Sequence, residues 1–325
     1  MFLKILSAVI LLLTVPAGVR AQERHYVSYG GTAGFQATVW AMKDLGTFEK
    51  YGLNGDVVLV GGSARQIQGV LGGSTDFAQV DITAVVAANL KGADLVVVGG
   101  TLNRIPFSMI TQPDIREPSQ LRGKKIGVVN FGGANEYAVI AALNEWGIPP
   151  SATTIMPAGG AATRLTAMSA KVLDATVLSP PETIKADKLG LRTLLHLSEL
   201  KASFPMNVVI VRRPYLEKNR DVVKRFMKAH ADAVYQLKHD KKKALEVLQK
   251  RLMQKEKDVI EATYNYYAPK FEFPPRVNRD GAAATAKFVV DRVAGGKANI
   301  DVNKLIDESI LDELDKEGFF KTFGK

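Results

Sequence analysis

The chain has 325 residues, 46% hydrophobic and 23% charged, which suits a globular protein of two domains and argues against bulk disorder. It holds 43 Lys+Arg against 33 Asp+Glu, a formal net charge of +10, and no cysteine. Without cysteine there is no disulfide framework, no cysteine-ligated zinc or iron–sulfur site, no thiol nucleophile and no lipidated cysteine anchor.

Lys4 precedes the apolar run Ile5–Val15, Pro16 ends it, and Val19-Arg20-Ala21 puts small residues at −3 and −1 before Gln22. This layout predicts a secretory signal peptide over residues 1–21, with an apolar part too short to span a bilayer. Its removal takes away Lys4 and Arg20 and no acid, so the mature chain carries +10 − 2 = +8. No later stretch approaches ~20 unbroken apolar residues, so a soluble periplasmic protein is expected, and not a lipoprotein.

From His25 short apolar strands alternate with helical patterns. Strands are predicted at Tyr26–Tyr29, Val57–Val60, Phe77–Val80 and Leu95–Val98, with helices at about Phe35–Asp44, Ala64–Leu71 and Thr83–Leu90 between them. The alternation restarts with strands Lys125–Val129, Thr154–Met156, Ala175–Leu178 and Thr193–Leu197, and helices at about Ala134–Trp146, Thr163–Ala170 and Pro181–Lys188. Such alternation argues for an α/β fold of mostly parallel sheets covered by helices on both faces. An ungapped shift of 98 residues aligns Gly61-Gly62 with Gly159-Gly160, Ala64 with Ala162, Asp76 with Asp174, Ala88 with Ala186 and Gly92 with Gly190. Two copies imply two lobes of similar topology rather than a solenoid.

Extended segments Phe107–Thr111 and Asn207–Val211 fall where the chain passes between lobes, and are expected hinges. After Pro214 the pattern is helical: Tyr215–Leu237, Lys242–Leu252, Lys255–Tyr267, Gly281–Val293 and Asn303–Leu314, with breaks at Pro269, Pro274-Pro275 and Gly295-Gly296. Packing of this tail on the first lobe divides the chain into lobe 1, residues 22–110 and 212–325, and lobe 2, residues 111–211. The basic cluster Lys238–Lys243 lies between two helical patterns with no interleaved aromatic residue, so a solvated turn is expected and no nucleic acid. The summed positive field favours anionic solutes.

Catalytic signatures are missing: no Gly-x-Ser-x-Gly elbow, phosphate loop, His-Glu-x-x-His or dinucleotide fingerprint occurs. No two of the four histidines have i,i+4 ligand spacing, so no metal is expected, and His230 reads as a helix-surface residue. Neither an enzyme nor a cofactor is expected.

Four strand–helix junctions are rich in small and polar residues: Tyr29-Gly30-Gly31-Thr32-Ala33-Gly34, Gly61-Gly62-Ser63, Asn130-Phe131-Gly132-Gly133-Ala134 and Ala158-Gly159-Gly160. Such turns leave orphan N–H groups at helix N-termini that favour a carboxylate, sulfonate or phosphate, and parallel sheets bind ligands outside these strand ends. Glycine also serves simply to turn a chain. Val80-Asp81-Ile82-Thr83 and Leu178-Ser179-Pro180-Pro181-Glu182, again 98 apart, complete a cleft rim. Tyr29, Phe35, Phe131 and Tyr137 either enclose an apolar ligand body or pack in the core. Asp81 repels an anion unless it faces away, or accepts from an amine or hydroxyl.

The strand Val27-Ser28-Tyr29 with its Gly/Thr loop, Phe48-Glu49-Lys50-Tyr51-Gly52-Leu53, Gly61-Gly62-Ser63, Asp76-Phe77-Ala78 and Leu121–Val128 carry a resemblance. Together they resemble the periplasmic solute-binding proteins of ABC importers, above all the group handling sulfonates, taurine, nitrate and thiamine-pyrimidine precursors. The resemblance covers residues 25–215 well and the tail loosely. It implies a two-lobe type II periplasmic binding protein fold, with a solute clamped between lobes and the closed form docking on a membrane permease served by an ATPase. Many members have a Gly-Ser-Ser-type loop where this chain has Asn130-Phe131-Gly132-Gly133, which removes hydroxyl donors. The cysteine-rich segment of relatives that make the thiamine pyrimidine is lacking.

The expected protein is therefore a monomeric receptor for a small organic solute, anionic or polar. Its expected site comprises Tyr29, Gly31, Thr32, Phe35, Gly62, Ser63, Asp81, Asn130, Phe131, Gly132, Gly133, Ser179 and Pro180, with donors at Gly62, Ser63, Gly132 and Gly133 and an apolar wall of Tyr29, Phe35 and Phe131. A secreted enzyme on the same fold, or a ligand receptor for a sensor, is the alternative.

Overall fold

The computed structural model describes residues 23–324, so the expected signal peptide lies outside the described residues. In chain order the strands are β1 (Arg24–Tyr29), β2 (Asn54–Leu59), β3 (Phe77–Val80), β4 (Leu95–Arg104), β5 (Ser108–Thr111), β6 (Lys125–Val128), β7 (Thr154–Pro157), β8 (Ala175–Leu178), β9 (Arg192–His196) and β10 (Ser203–Arg212). They form two five-stranded sheets, ordered β2-β1-β3-β10-β4 and β7-β6-β8-β5-β9. With β6 to β9 read as counterparts of β1 to β4, and β5 as the counterpart of β10, the two orders coincide. In each sheet one strand is antiparallel to both neighbours: β10 between β3 and β4, and β5 between β8 and β9. This is the two-lobe periplasmic binding protein fold, with mixed sheets.

The repeated aspartates do the same work in both lobes. Asp76 Oδ2 accepts from the Tyr26 N–H at 3.2 Å, and Asp174 Oδ2 accepts from the Lys125 N–H at 2.8 Å. Each carboxylate ties the turn before one strand to the start of the neighbouring strand. Helices cover both faces, so strands read as continuous apolar runs even at an edge of the sheet; Val96, Val97 and Val98 of β4 are fully buried.

Sheet membership moves the crossings. β5 already belongs to the second sheet, so the first passage between sheets is residues 105–107. Asn207–Val211 is no hinge: it lies inside β10, hydrogen-bonded between β3 and β4, and the return passage is residues 197–202. An apolar extended run looks alike whether it links two sheets or completes one.

The helical tail returns to the first sheet. Helix Arg220–His239 packs on helix Ala37–Asp44, and its Phe226 stacks on Phe77 at 3.7 Å. Asp44, almost fully buried, receives a two-point contact from Arg251 at 2.6 and 2.8 Å. Near the chain end Ile306 pairs with Val97, and the Asp307 N–H donates to the Val97 carbonyl at 2.9 Å.

His230 departs from the sequence reading. It lies on the inner face of helix Arg220–His239, fully buried, and neither ring nitrogen has a hydrogen-bond partner among the described residues. Burial lowers its pKa to about 4. Above the unfolded value of about 6.5 both states are neutral and the group contributes nothing to pH dependence. As pH falls from there toward 4 only the unfolded chain takes the proton, so stability is lost across that window. Replacement of His230 by Leu is expected to reduce the stability lost between pH 7 and pH 5 by about 2 kcal/mol, read from urea melts at the two pH values.

Candidate functional site

The strand ends of the two sheets face one another, and several bonds cross between them. The Gly34 N–H and the Tyr267 hydroxyl each donate to the Pro180 carbonyl at 3.4 Å. Tyr137 stacks on Phe204 at 4.7 Å and meets Phe288 edge-on at 5.1 Å. Arg292 Nη2 lies 2.5 Å from Glu136 Oε1, and Lys188 pairs with Glu256. The loop after β1 and the loop after β8 therefore touch across the boundary.

On the first sheet's side, Tyr29 lies edge-on to Trp40 at 5.7 Å and Phe35 edge-on to Tyr267 at 6.1 Å. Both are buried, and the Phe35 carbonyl accepts from Asn207 Nδ2 at 2.6 Å, so the two rings hold the first junction in place. Thr32 is exposed, and a Cβ added at Gly31 meets nothing within 4 Å, so open space adjoins this loop. Gly62, at φ +86°, turns β2 into helix Ser63–Leu71, a conformation L side chains rarely adopt.

Ser63 Oγ donates to Asp81 Oδ2 at 2.8 Å. Asp81 also accepts from Thr83 Oγ1 and from the Ala84 N–H, capping helix Ile82–Asn89. Its carboxylate is engaged inside the chain, which bears on both sequence readings of this residue.

On the second sheet's side, the Gly132 N–H donates to Glu136 Oε2 at 2.6 Å. The expected backbone donor at Gly132 is thus already satisfied by the chain's own carboxylate. Glu136 is fully buried at the N-terminal turn of helix Ala134–Glu145, where the helix dipole favours a negative charge. Sequence inspection missed this because a Glu in a first helical turn is read as capping, not as an occupant of an anion site. Asn130 folds over Gly133, where an added Cβ would meet its Oδ1 at 3.0 Å. Phe131 is half exposed beneath the Arg292 guanidinium, 5.6 Å from the ring centre. Ser179 is buried, and its carbonyl accepts from the Glu182 N–H at 2.9 Å.

Loss of the Glu136 carboxylate strands Gly132 N–H, whereas the half-exposed Arg292 still meets water. Glu136→Ala is expected to cost about 1–3 kcal/mol in urea unfolding at neutral pH, and Glu136→Gln, which keeps an acceptor, clearly less.

Two buried polar residues escaped the sequence reading although the 98-residue offset relates them: Gln66 and Arg164. Arg164 is 3% exposed, and its guanidinium donates to Thr176 Oγ1, the Gly159 carbonyl and the Val177 carbonyl at 2.9, 2.6 and 3.0 Å. Burial lowers its pKa to about 10, so it stays charged at neutral pH. Gln66 is 1% exposed, and neither side-chain atom has a partner among the described residues. Beside it Thr38 Oγ1 donates to Gln79 Oε1, and Gln79 Nε2 to Gln36 Oε1, both at 2.7 Å. The matched offset was the signal that could have found this pair.

A family model described as NMT1/THI5 like matches residues 36–244, well over half of the chain. The chain belongs to the NMT1/THI5-like family. A search of curated proteins by sequence found no match. Among solved structures, the periplasmic aliphatic sulphonate binding protein SsuA of Escherichia coli superposes with a TM-score of 0.74 at 18% identity, covering 89% of this chain and 98% of that one. The alkanesulfonate-binding protein SsuA of Xanthomonas axonopodis pv. citri, bound to MOPS, gives 0.71 at 16% identity over 87% and 98%. The desulfurization enzyme DSZB gives 0.66 at 12% identity over 91% and 100%. At these identities the likeness establishes a shared fold, one used by binding proteins and by at least one enzyme. No helix among the described residues is long and apolar enough to cross a membrane.

Proposed function

We propose that this NMT1/THI5-like protein is the substrate-binding component of an ABC importer, exported to the periplasm, which captures a small organic solute between its lobes and delivers it to a permease. The observation that carries this is the direct bond between facing junctions, Gly34 N–H to Pro180 carbonyl, at the strand ends where α/β sheets bind ligands. Gly31, Thr32, Gly62 and Ser63 on one side, with Asn130, Phe131, Gly133, Ser179 and Pro180 on the other, form the proposed rim. Passages 105–107 and 197–202 are the proposed hinges. A solute touching both rims binds the closed arrangement better than the open one and draws the population toward it. Tyr29, Phe35 and Asp81 support the rim from within.

DSZB shares the fold, so capture has to be separated from turnover by experiment. The mature chain is to be incubated with a periplasmic small-molecule extract, freed of unbound solute and then denatured. The released compound should have the mass of a compound present in the starting extract. A released compound of altered mass, accumulating with time, would establish an enzyme instead.

A further inference from the structure

The helices that follow the two Gly-Gly turns carry equivalent residues, Gln66 and Arg164, five positions after the first glycine. Arg164 spends its donors on its own lobe: Gly159, Thr176 and Val177. Gln66 is as deeply buried and has no partner for either Oε1 or Nε2 among the described residues. Buried polar groups are nearly always hydrogen-bonded, so a buried carboxamide with both atoms free points to a group supplied from outside the chain.

Its surroundings define what that group is. A Cβ added at Gly30 would lie 2.8 Å from Gln66 Nε2 and 3.8 Å from Gln36 Nε2, so two carboxamides flank the backbone at the end of β1. Two residues before Gly30, Ser28 Oγ in β1 is also buried without a partner among the described residues. Open space lies over neighbouring Gly31, in the loop that reaches Pro180 of the other lobe. No charge is present among Ser28, Gln36 and Gln66. A free carboxamide offers one donor edge and one acceptor edge side by side.

We infer that Gln66, with Ser28 and Gln36, forms a subsite in the first lobe for an uncharged donor–acceptor group of the solute, an amide or ureide edge. This deepens the solute-receptor reading and rests on it. Satisfying Gln66 Oε1 as well as Nε2 takes a solute group that brings its own proton, which an amide or ureide edge does and an anionic head does not. One anion-favouring helix end of the second lobe, that of helix Ala134–Glu145, is already filled by Glu136.

The test is a thermal-shift titration of the mature chain with benzamide and phenylurea against benzoate and benzenesulfonate, which keep the ring and change the head. Benzamide or phenylurea should stabilise the wild type at millimolar concentration. Gln66→Met, which keeps the volume, should weaken that binding about tenfold or more, the loss of one or two hydrogen bonds. Gly30→Ala, which displaces the carboxamide, should do the same with Gln66 present. Circular dichroism of both variants checks that they are folded. Stabilisation by the two anions alone, or by an amide equally in wild type and Gln66→Met, would overturn the subsite and leave solute capture standing. No response to any of the four would overturn the subsite too, and solute capture itself is read separately from the compound released from a periplasmic extract.

Discussion

Gly34→Val is expected to abolish solute capture while leaving two folded lobes. A Cβ at this position would meet Thr263 Cγ2 at 2.5 Å and the Tyr267 ring at 2.6 and 2.7 Å, distances that real side chains do not tolerate. The loop has to retreat from helix Lys257–Tyr267, and the two donors to the Pro180 carbonyl, Gly34 N–H and Tyr267 hydroxyl, are displaced together. Overpacking of this kind costs about 1–3 kcal/mol, which a chain of this size survives. The effect on closure is larger, because both hydrogen bonds from the first lobe to the Pro180 carbonyl are lost at once. Small-angle scattering should show the variant more extended than the wild type with solute present, and equilibrium dialysis should show no retained solute. A variant that closes and binds normally would mean that this contact is incidental.

Arg164→Met is expected to be the most damaging single change in the second lobe. The substitution keeps much of the side chain's length but removes the donors to two buried acceptors, Thr176 Oγ1 and the Val177 carbonyl, and to the carbonyl of exposed Gly159, and hydrogen bonds from a charged group are individually worth about 1.5–3 kcal/mol. With partial relaxation a loss of about 3–5 kcal/mol in urea unfolding is expected. The apolar cluster behind it is small, built on Ile110, Met168, Leu173, Leu178, Ala186 and Leu191, so it holds little in reserve. Arg164→Lys should be nearly as harmful, because one ammonium cannot span the Gly159 carbonyl, the Val177 carbonyl and Thr176 Oγ1 as a guanidinium fork does. Hydrogen exchange should accelerate across β8 and helix Ala161–Ser169 with little change in the first lobe. Uniform acceleration in both lobes would contradict the local role.

The two-lobe architecture was legible because its determinants are local and repeated. Asp76 and Asp174 stand at the same offset and make the same bond to a strand start in each lobe, so identity in sequence and identity in role coincide. Phe77–Val80 and Ala175–Leu178 are bounded by polar turns and have the predicted limits. The crossings were harder. Asn207–Val211 is apolar and extended in either role, and only pairing with β3 and β4 reveals which.

The candidate site was legible as a set of loops and less so as a set of roles. Glycine-rich junctions announce where the chain turns, and the Gly34–Pro180 contact shows two of them meeting. What the side chains there do depends on partners distant in sequence. Glu136 meets Arg292, 156 residues away, and Asn207 meets Phe35, 172 away. The Asp81 carboxylate is engaged by Ser63, a residue from another junction, which no local pattern around Asp81 announces. Gln66 and Arg164 do not stand out in the sequence because a polar residue in a short helix usually faces water, and burial is decided by the sheet beneath it.

The central claim, that a solute is held between the lobes, is tested most directly by native mass spectrometry of the protein purified from periplasm, recorded before and after denaturation and alongside Gly34→Val. The account expects a one-to-one small-molecule adduct on the wild type that disappears on denaturation and is missing from the variant. A wild-type protein that stays at its bare mass even after incubation with a periplasmic extract, or an adduct carried equally by Gly34→Val, would contradict it.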